Sequence, residues 1–184
     1  PAQGVDEGTA IVIDDPADGY VARSALKLIA GLDHFGFAPQ ERTALDIGAS
    51  TGGFTQVLLE RGARKVFAVD VGHGQLHPMV AGDPRVVSRE GLNARDLAVA
   101  DLGEPIDAIV ADVSFISLKL VLPPALALAA SGAWGVFLVK PQFEVGPANL
   151  GKGGVVRDLD LAKRTATELA DWIEAGPGWK VDGV

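Results

Sequence analysis

The chain has 184 residues, of which 48% are hydrophobic, so it can bury one core and is too short for two domains of ordinary size. It contains no cysteine, which excludes a disulfide framework and any metal site built on thiolates. The formal net charge of −8 argues against binding of RNA or DNA by overall electrostatic attraction. A nucleic-acid substrate therefore requires a local basic patch or a further segment of protein.

Strands and helices alternate along the sequence. Residues 1–19 have no sustained periodicity and are expected to form a linker or disordered tail, whereas residues 20–35 have the spacing of an amphipathic helix. Apolar runs predict strands at 43–47, 65–69, 85–88, 106–111 and 134–139. Helices are expected at 53–61, 74–80, 117–130 and 158–175. This alternation predicts an α/β fold with a doubly wound, mostly parallel sheet over residues 20–184.

An uncharged run at 120–139 is long enough to cross a membrane. Pro123, Pro124, Gly132 and Gly135 interrupt it, so a helix followed by a buried strand explains it better. The two prolines also move the expected start of the helix at 117–130 to Pro124. No signal-peptide pattern comes before the domain, and we expect a cytoplasmic protein that does not enter membranes.

Two histidines have a spacing that occurs in zinc sites. His73 and His77 are separated by four residues, as helical zinc ligands can be. Pro78 follows directly, however, and the zinc-protease pattern H-E-x-x-H does not occur in the sequence. A solvated loop or the start of a helix accounts for both histidines, and we expect no bound metal.

A glycine-rich stretch follows the first predicted strand and leads into a helix, which is the layout of a nucleotide-binding crevice. Its glycine spacing does not fit the dinucleotide fingerprint, and it lacks the Lys-Ser/Thr pair of a P-loop. Asp46, on the strand itself, repels a pyrophosphate and attracts an amino group. These features favour S-adenosylmethionine (SAM), which has an ammonium, a sulfonium and an adenosine. The candidate cofactor-binding residues here are Asp46, Gly48, Ala49, Ser50, Gly52, Gly53 and Phe54.

Polar residues at the carboxyl ends of the next two strands extend this candidate cofactor site. Asp70 closes the second strand, 22 residues after Gly48, where a carboxylate can accept both hydroxyls of a ribose. NAD and SAM sites share such an acid, and a turn residue at a strand end is the structural alternative. Asn93 and Asp96, after the third strand, can contact the adenine edge, although their loop alone is weak evidence. We include Val71 and Asn93 in the predicted cofactor-binding set.

Two charged residues end the fourth and fifth strands. Asp112 and Lys140 each stand near the end of a buried apolar run, so their side chains are expected at the mouth of the crevice. The alternative roles are a helix N-cap for Asp112 and a snorkelling surface cation for Lys140. Together they predict an acid–base pair beside the transferable methyl group, with Asp112 also bordering the cofactor. Lys27, off the apolar stripe of its helix, is by position alone an ordinary solvated residue.

Six segments of the sequence carry motifs that occur together in one enzyme family. They are YVARSALKL at 20–28, DIGASTGGF at 46–54, DVGHGQL at 70–76, DVSFIS at 112–117, KPQFE at 140–144 and GKGGVVRD at 151–158. In this order they resemble the TlyA family of ribosomal RNA 2′-O-methyltransferases, which are often labelled haemolysins and have an FtsJ-like catalytic domain. The resemblance implies a Rossmann-like, SAM-dependent methyltransferase fold.

The resemblance also implies a catalytic Lys-Asp-Lys-Glu tetrad, whose first three members match Lys27, Asp112 and Lys140. Glu144 is not the fourth member, which the family pattern places beyond Val184. The family carries an N-terminal S4-like RNA-binding domain, from which the first nineteen residues would be the linker. We therefore expect the sequence to be an excised methyltransferase core, incomplete at its C-terminus, whose grip on RNA depends on that domain.

The expected reaction is methyl transfer from SAM to a ribose 2′-hydroxyl of ribosomal RNA, with cytidine as the target that the family implies. We expect Lys140 to orient or deprotonate the hydroxyl, Asp112 to align Lys140, and Lys27 to support the substrate phosphate or hydroxyl. Two other classes stay open: a small-molecule O-methyltransferase, which the acidic charge suits, and a membrane-active haemolysin. The interrupted uncharged run and the lack of a basic amphipathic helix argue against lysis.

Overall fold

The structure, a computed structural model, describes residues 4, 6, 8, 9 and 14–184 and contains a five-stranded parallel sheet between two layers of helices. The strands are β1 (Thr43–Ile47), β2 (Lys65–Asp70), β3 (Val86–Glu90), β4 (Ile106–Ala111) and β5 (Ala129–Phe137). The helices are α1 (Ala25–Phe35), α2 (Gly53–Glu60), α3 (Pro78–Ala81), α4 (Val99–Leu102), α5 (Leu118–Ala127) and α6 (Leu159–Glu174). The strand order is β3-β2-β1-β4-β5, and every pairing is parallel.

Helices cover both faces of the sheet. Every residue of β1 is buried, and its side chains alternate between two cores. Ala44 packs with α1 and α2 on one face, whereas Leu45 and Ile47 pack with α5 and α6 on the other. Burial on both faces explains why the central strands are continuous apolar runs. The predicted doubly wound α/β fold is confirmed.

Two helices begin later than predicted. Only α3 forms from the helix expected at 74–80, because the Glu90 carboxylate accepts three successive backbone N–H groups of that segment. Pro78 then starts α3, since its fixed φ suits a first helical residue. α1 starts five residues later than expected, because the Val21 N–H donates to the side-chain oxygen of Gln56 at 2.8 Å instead of continuing the helix.

The boundary between α5 and β5 also differs from the prediction. α5 begins at Leu118 and contains both Pro123 and Pro124, so the start expected at the second proline is wrong. Ser117 fixes the beginning of the helix, because its hydroxyl accepts the Lys119 N–H at 3.1 Å. β5 begins five residues earlier than the predicted strand, directly after the helix.

The uncharged run at 120–139 consists of most of α5 and all of β5, which confirms that it is a helix followed by a strand. β5 lies at one edge of the sheet, paired with β4. Within the residues that the structure describes, no helix is both long and apolar enough to cross a membrane.

The segment before α1 lies against α2. The side-chain amide N–H of Gln56, on α2, donates a hydrogen bond to the Gly19 carbonyl oxygen at 2.9 Å. Ala17 is buried, so this end of the predicted tail contacts the domain. The rest of that prediction falls largely on residues 1–3, 5, 7 and 10–13, which lie outside the described residues.

A buried polar pair joins β1 to α2. Asp46 is fully buried, and its Oδ2 accepts a hydrogen bond from Thr55 Oγ1 at 2.7 Å. Its Oδ1 accepts no hydrogen bond from any described residue. Burial raises the pKa of Asp46 to about 7. The hydrogen bonds from Thr55 oppose this shift, and the nearby charges of Asp112 and Asp70 add to it. This carboxyl therefore retains its proton well above the pH at which an exposed aspartate ionises.

Asp46→Asn is expected to flatten the pH dependence of stability. Because the folded-state pKa of about 7 lies above the ordinary value of 3.8, the carboxyl favours the folded state at low pH, and this contribution is lost as the pH rises through about 7. The full loss is on the order of 4 kcal/mol, and a neutral asparagine removes it.

Urea unfolding at about pH 5 and about pH 8 measures the difference in free energy of unfolding between the two conditions. The exposed Asp182→Asn variant is the matched control and should keep the wild-type fall in stability. An equal fall in Asp46→Asn and wild type would contradict the prediction.

Candidate active site

The loop between β1 and α2 turns tightly at the carboxyl edge of the sheet. Gly52 has a φ of 97°, and a Cβ there would lie 2.9 Å from Leu76 Cδ1 and 3.0 Å from Val80 Cγ1. Gly48 has a φ of 81°, and a Cβ there would lie 3.1 Å from the Asp112 carbonyl oxygen. Conformation and packing therefore both require glycine at these two positions. The loop lines a cleft with Gly48, Ala49, Ser50, Thr51 and Phe54.

Asp70, the last residue of β2, joins this loop to the neighbouring strand. Its Oδ2 accepts the Ser50 N–H and its Oδ1 accepts the Gly72 N–H, both at 2.8 Å. Each carboxylate oxygen retains a further lone-pair site, so the group can still accept the hydroxyls of a ribose. Val71, directly beside it, is 64% exposed and offers an apolar surface at the same edge.

Asn93 lies in the segment that follows β3. The Leu92 N–H donates to the Asp70 carbonyl oxygen at 3.1 Å, which brings this segment next to the candidate ribose site. Asn93 Oδ1 accepts the Arg95 N–H at 3.1 Å and caps a short 3-10 turn. Asp96 is exposed at the end of that turn. Both candidates for the adenine edge therefore lie on one turn beyond Asp70.

Three charged residues from separate elements meet beside the cleft, and two of them, Asp112 and Lys140, line it. Asp112 follows β4, Lys140 follows β5, and Lys27 lies in the first turn of α1. Asp112 Oδ1 lies 2.6 Å from Lys140 Nζ, and Asp112 Oδ2 lies 3.7 Å from Lys27 Nζ. The structure thus brings together the three residues that the tetrad pattern selected.

The two ion pairs of Asp112 differ in strength. The side chains of Lys140 and Asp112 are 19% and 12% exposed, whereas that of Lys27 is 51% exposed and its pair is more strongly screened by water. Asp112 Oδ1 accepts no well-aligned hydrogen bond from the described residues, so its contact with Lys140 is one of charge. The aligned hydrogen bond of Lys140 Nζ goes to Ser114 Oγ at 2.7 Å. Two contacts therefore hold the Lys140 ammonium.

Some predicted cofactor-binding residues shape the cleft without reaching its surface. Asp46 is fully buried between β1 and α2, so its carboxyl belongs to the wall behind the loop. Gly52 and Gly53 do not line the cleft but allow neighbouring segments to approach the loop closely. Phe54 and Asp112 line the cleft directly.

Sequence reasoning missed four residues that line the cleft, one of which is Thr51 in the glycine loop itself. Ala22 and Ser24, in the turns before α1, and Ser114, two residues after Asp112, lie there beside the predicted set. Gly53 makes this approach possible, because a Cβ there would clash with Ser24 Oγ and lie 3.0 Å from Ala22 Cβ. The two residues before α1 carry no motif of their own. Ser114, by contrast, stands beside a candidate catalytic residue in the sequence and was detectable from that position.

The two closely spaced histidines take part in local structure. His77 Nδ1 accepts the Met79 N–H at 3.2 Å and caps α3. His73 lies against the turn after β3, where a Cβ at Gly91 would be 2.5 Å from its Nε2. Across the described part of the chain, no group of three His, Cys, Asp or Glu side chains is arranged to hold a metal ion.

Known proteins resemble this chain along most of its length. Residues 20–181 match the FtsJ-like methyltransferase family. The 16S/23S rRNA (cytidine-2′-O)-methyltransferase TlyA of Mycobacterium tuberculosis is 48% identical over 185 residues, which cover all of this chain and 69% of that protein. Hemolysin A of Brachyspira hyodysenteriae is 44% identical over 79% of this chain and 61% of that protein.

A crystal structure supports the same relationship. A Lactococcus lactis protein described as a hemolysin superposes with a TM-score of 0.79 at 40% identity, over 83% of this chain and 73% of that one. The matched residues 20–181 contain the whole sheet, the glycine loop and the three charged residues of the cleft. The chain therefore belongs to the FtsJ-like methyltransferases and, within them, to the TlyA family.

Proposed function

We propose that this protein transfers a methyl group from SAM to the 2′-hydroxyl of a ribose in ribosomal RNA. The observation that carries the proposal is the position of Lys27, Asp112 and Lys140 beside the glycine loop. A methyl donor in the loop and an acceptor hydroxyl at the lysines are held next to each other, which lowers the entropic barrier to transfer. The M. tuberculosis relative is named as an rRNA cytidine-2′-O-methyltransferase, and we extend that substrate class to this chain.

The residues around the loop fit SAM. When bound, SAM supplies an electrophilic methyl group on a sulfonium. Gly48 and Gly52 let the loop backbone approach a ligand closely, and the Asp70 carboxylate has lone pairs left for ribose hydroxyls. Val71 and Asn93 stand beyond the candidate ribose site, where they would border the adenine. The loop has no lysine for a pyrophosphate, in keeping with a cofactor that lacks phosphate.

Lys140 is the group that orients the acceptor hydroxyl or receives its proton. As a general base it takes the proton that the 2′-hydroxyl loses on methylation. The ammonium produced is stabilised by the Asp112 carboxylate, 2.6 Å away, and is oriented by Ser114 Oγ, 2.7 Å away. Because both contacts exist before the acceptor arrives, little reorganisation is required during transfer.

Lys27 lies on the solvent side of the site. Half of its side chain is exposed, and its distance of 3.7 Å from Asp112 leaves it able to contact an incoming ligand. Two lysines around one carboxylate give the cleft a local positive charge within a chain whose net charge is −8. This local charge attracts a phosphate of the acceptor strand, and Lys27 contacts that phosphate or the 2′-oxygen.

A small-molecule O-methyltransferase is the second candidate. The net charge of −8 favours it, because an acidic surface repels RNA. The Lys-Asp-Lys arrangement argues against it, since a phenolic acceptor has no phosphate for the second lysine to contact. Transfer of a labelled methyl group to ribosomal subunits and to a panel of phenols separates the two. The cytoplasmic location stays a prediction. The haemolysin reading stays the least favoured alternative, and a parallel liposome-leakage assay tests it.

Lys140→Ala is expected to abolish methyl transfer while leaving SAM affinity nearly unchanged. Removal of a positioned general base lowers the rate by about 10²- to 10⁴-fold. Tritium transfer from labelled SAM to ribosomal subunits measures the rate, and titration calorimetry measures the Kd for SAM. Lys163→Ala, on the exposed side of α6, is the matched control and should keep the wild-type rate. Undiminished transfer by Lys140→Ala would refute this assignment.

Asp70→Asn is expected to weaken SAM binding. A hydrogen bond to a charged group contributes roughly 1.5–3 kcal/mol, so the Kd should rise by about 10- to 100-fold. The amide also cannot accept both the Ser50 and the Gly72 N–H groups through two oxygens, as the carboxylate does. Calorimetry on this variant and on the exposed Asp182→Asn control checks the effect. Equal Kd values for both variants and wild type would remove Asp70 from the site.

A further inference from the structure

We infer that Glu144 is a positioning residue for Lys140, an inference that rests on the proposed function. Glu144 Oε2 accepts a hydrogen bond from Ser117 Oγ at 2.5 Å, and Oε1 accepts the Leu118 N–H at 2.8 Å. Both partners stand at the beginning of α5, 26 and 27 residues away in sequence. The carboxylate thereby attaches the segment after β5 to the segment after β4.

A single rigid turn connects Glu144 to Lys140. The Phe143 N–H donates to the Lys140 carbonyl oxygen at 2.9 Å, and the Glu144 N–H donates to the Pro141 carbonyl oxygen at 3.0 Å. Pro141 fixes one φ angle within this 3-10 turn. Because the turn has little freedom, the anchored Glu144 side chain also fixes the backbone from which the Lys140 side chain extends.

The same two segments touch at two further places. Lys140 Nζ donates to Ser114 Oγ at 2.7 Å, and the rings of Phe115 and Phe143 have centroids 5.0 Å apart. Phe115 is 91% exposed, so this aromatic contact is open to water and cannot hold the segments alone. Glu144 makes the more buried and directional of the contacts, and we assign it the main part in holding the two segments in register.

The position of Glu144 at a helix N-terminus strengthens its two hydrogen bonds. Ser117 caps α5 by accepting the Lys119 N–H. Glu144 accepts the N–H of Leu118, the first residue of the helix, which has no acceptor within the helix. A negative charge there is also favoured by the helix dipole. A role in capping alone would change the stability of the protein without changing the rate of the folded enzyme. A positioning role changes the rate as well, and this difference makes the inference testable.

The test compares Glu144→Ala with Glu144→Gln in the methyl-transfer assay, with SAM affinity measured in parallel. Glutamine can still accept the Leu118 N–H and donate to Ser117 Oγ, so it should restore most of the rate. Alanine removes both contacts, and a shift of about 1 Å in Lys140 lowers kcat by on the order of 10- to 100-fold. The Kd for SAM should stay within about twofold, because the cofactor loop is on other strands.

Glu174→Ala is the matched control. Glu174 also accepts a backbone N–H, that of Val181 at 3.0 Å, but it lies at the end of α6, which packs near the other end of α5. Its removal should leave kcat at the wild-type value. A wild-type kcat for Glu144→Ala would reduce Glu144 to a helix cap and overturn the inference.

Two further measurements keep the inference testable if a variant or the wild type behaves unexpectedly. If Glu144→Ala does not fold, Glu144→Asp replaces it: its shorter arm should lower kcat, and a wild-type rate would contradict positioning. Amide hydrogen exchange of residues 112–117 and 140–144 needs no activity. Glu144→Ala, or Glu144→Asp in its place, should speed exchange in both segments, and unchanged exchange would overturn the inference. Methyl transfer by the wild type to a base instead of a ribose would refute the proposed function and not the inference.

Discussion

The attachment of Asp112 to the glycine loop determines how both halves of the site are arranged. The Asp112 N–H donates to the Ile47 carbonyl oxygen at 3.1 Å, and its own carbonyl oxygen would lie only 3.1 Å from a Cβ at Gly48. Its carboxylate lies 2.6 Å from Lys140 and 3.7 Å from Lys27. One residue thus belongs to the wall of the donor site and to the acceptor site. Since parallel pairing of β1 with β4 sets its position, the sheet itself determines the distance between donor and acceptor.

Carboxylates near the ends of strands hold the surrounding loops in place. Asp70 accepts two backbone N–H groups, Glu90 accepts three, and Glu144 accepts one together with a serine hydroxyl. The three backbone hydrogen bonds to Glu90 hold the pKa of that carboxyl below its ordinary value, so it stays ionised. Part of the acidic surplus of the chain is therefore structural, whereas the cleft that faces the acceptor carries two lysines. The net charge alone is a poor guide to the substrate of this protein.

Local sequence predicted those parts of the fold that depend on local burial. The strands at 43–47 and 106–111 have the predicted bounds, because burial on both faces gives continuous apolar runs. The helix α3 begins later than expected, because Glu90 reaches its segment from a distant strand, and α5 begins before its two prolines, because Ser117 caps it. Lys27 is a similar case: its surroundings in the sequence are those of a solvated residue, and only the packing of α1 against the sheet brings it near Asp112.

The acceptor atom decides between the proposed activity and its alternatives. The most direct measurement incubates the protein with ribosomal subunits and SAM carrying a deuterated methyl group, digests the RNA to nucleosides, and locates the label by mass spectrometry. We expect the label on the ribose of a single nucleoside, whose 3′ linkage then resists alkaline hydrolysis because its 2′-oxygen is blocked. Label on a base instead of a ribose would contradict the assignment of this cleft to 2′-O-methylation.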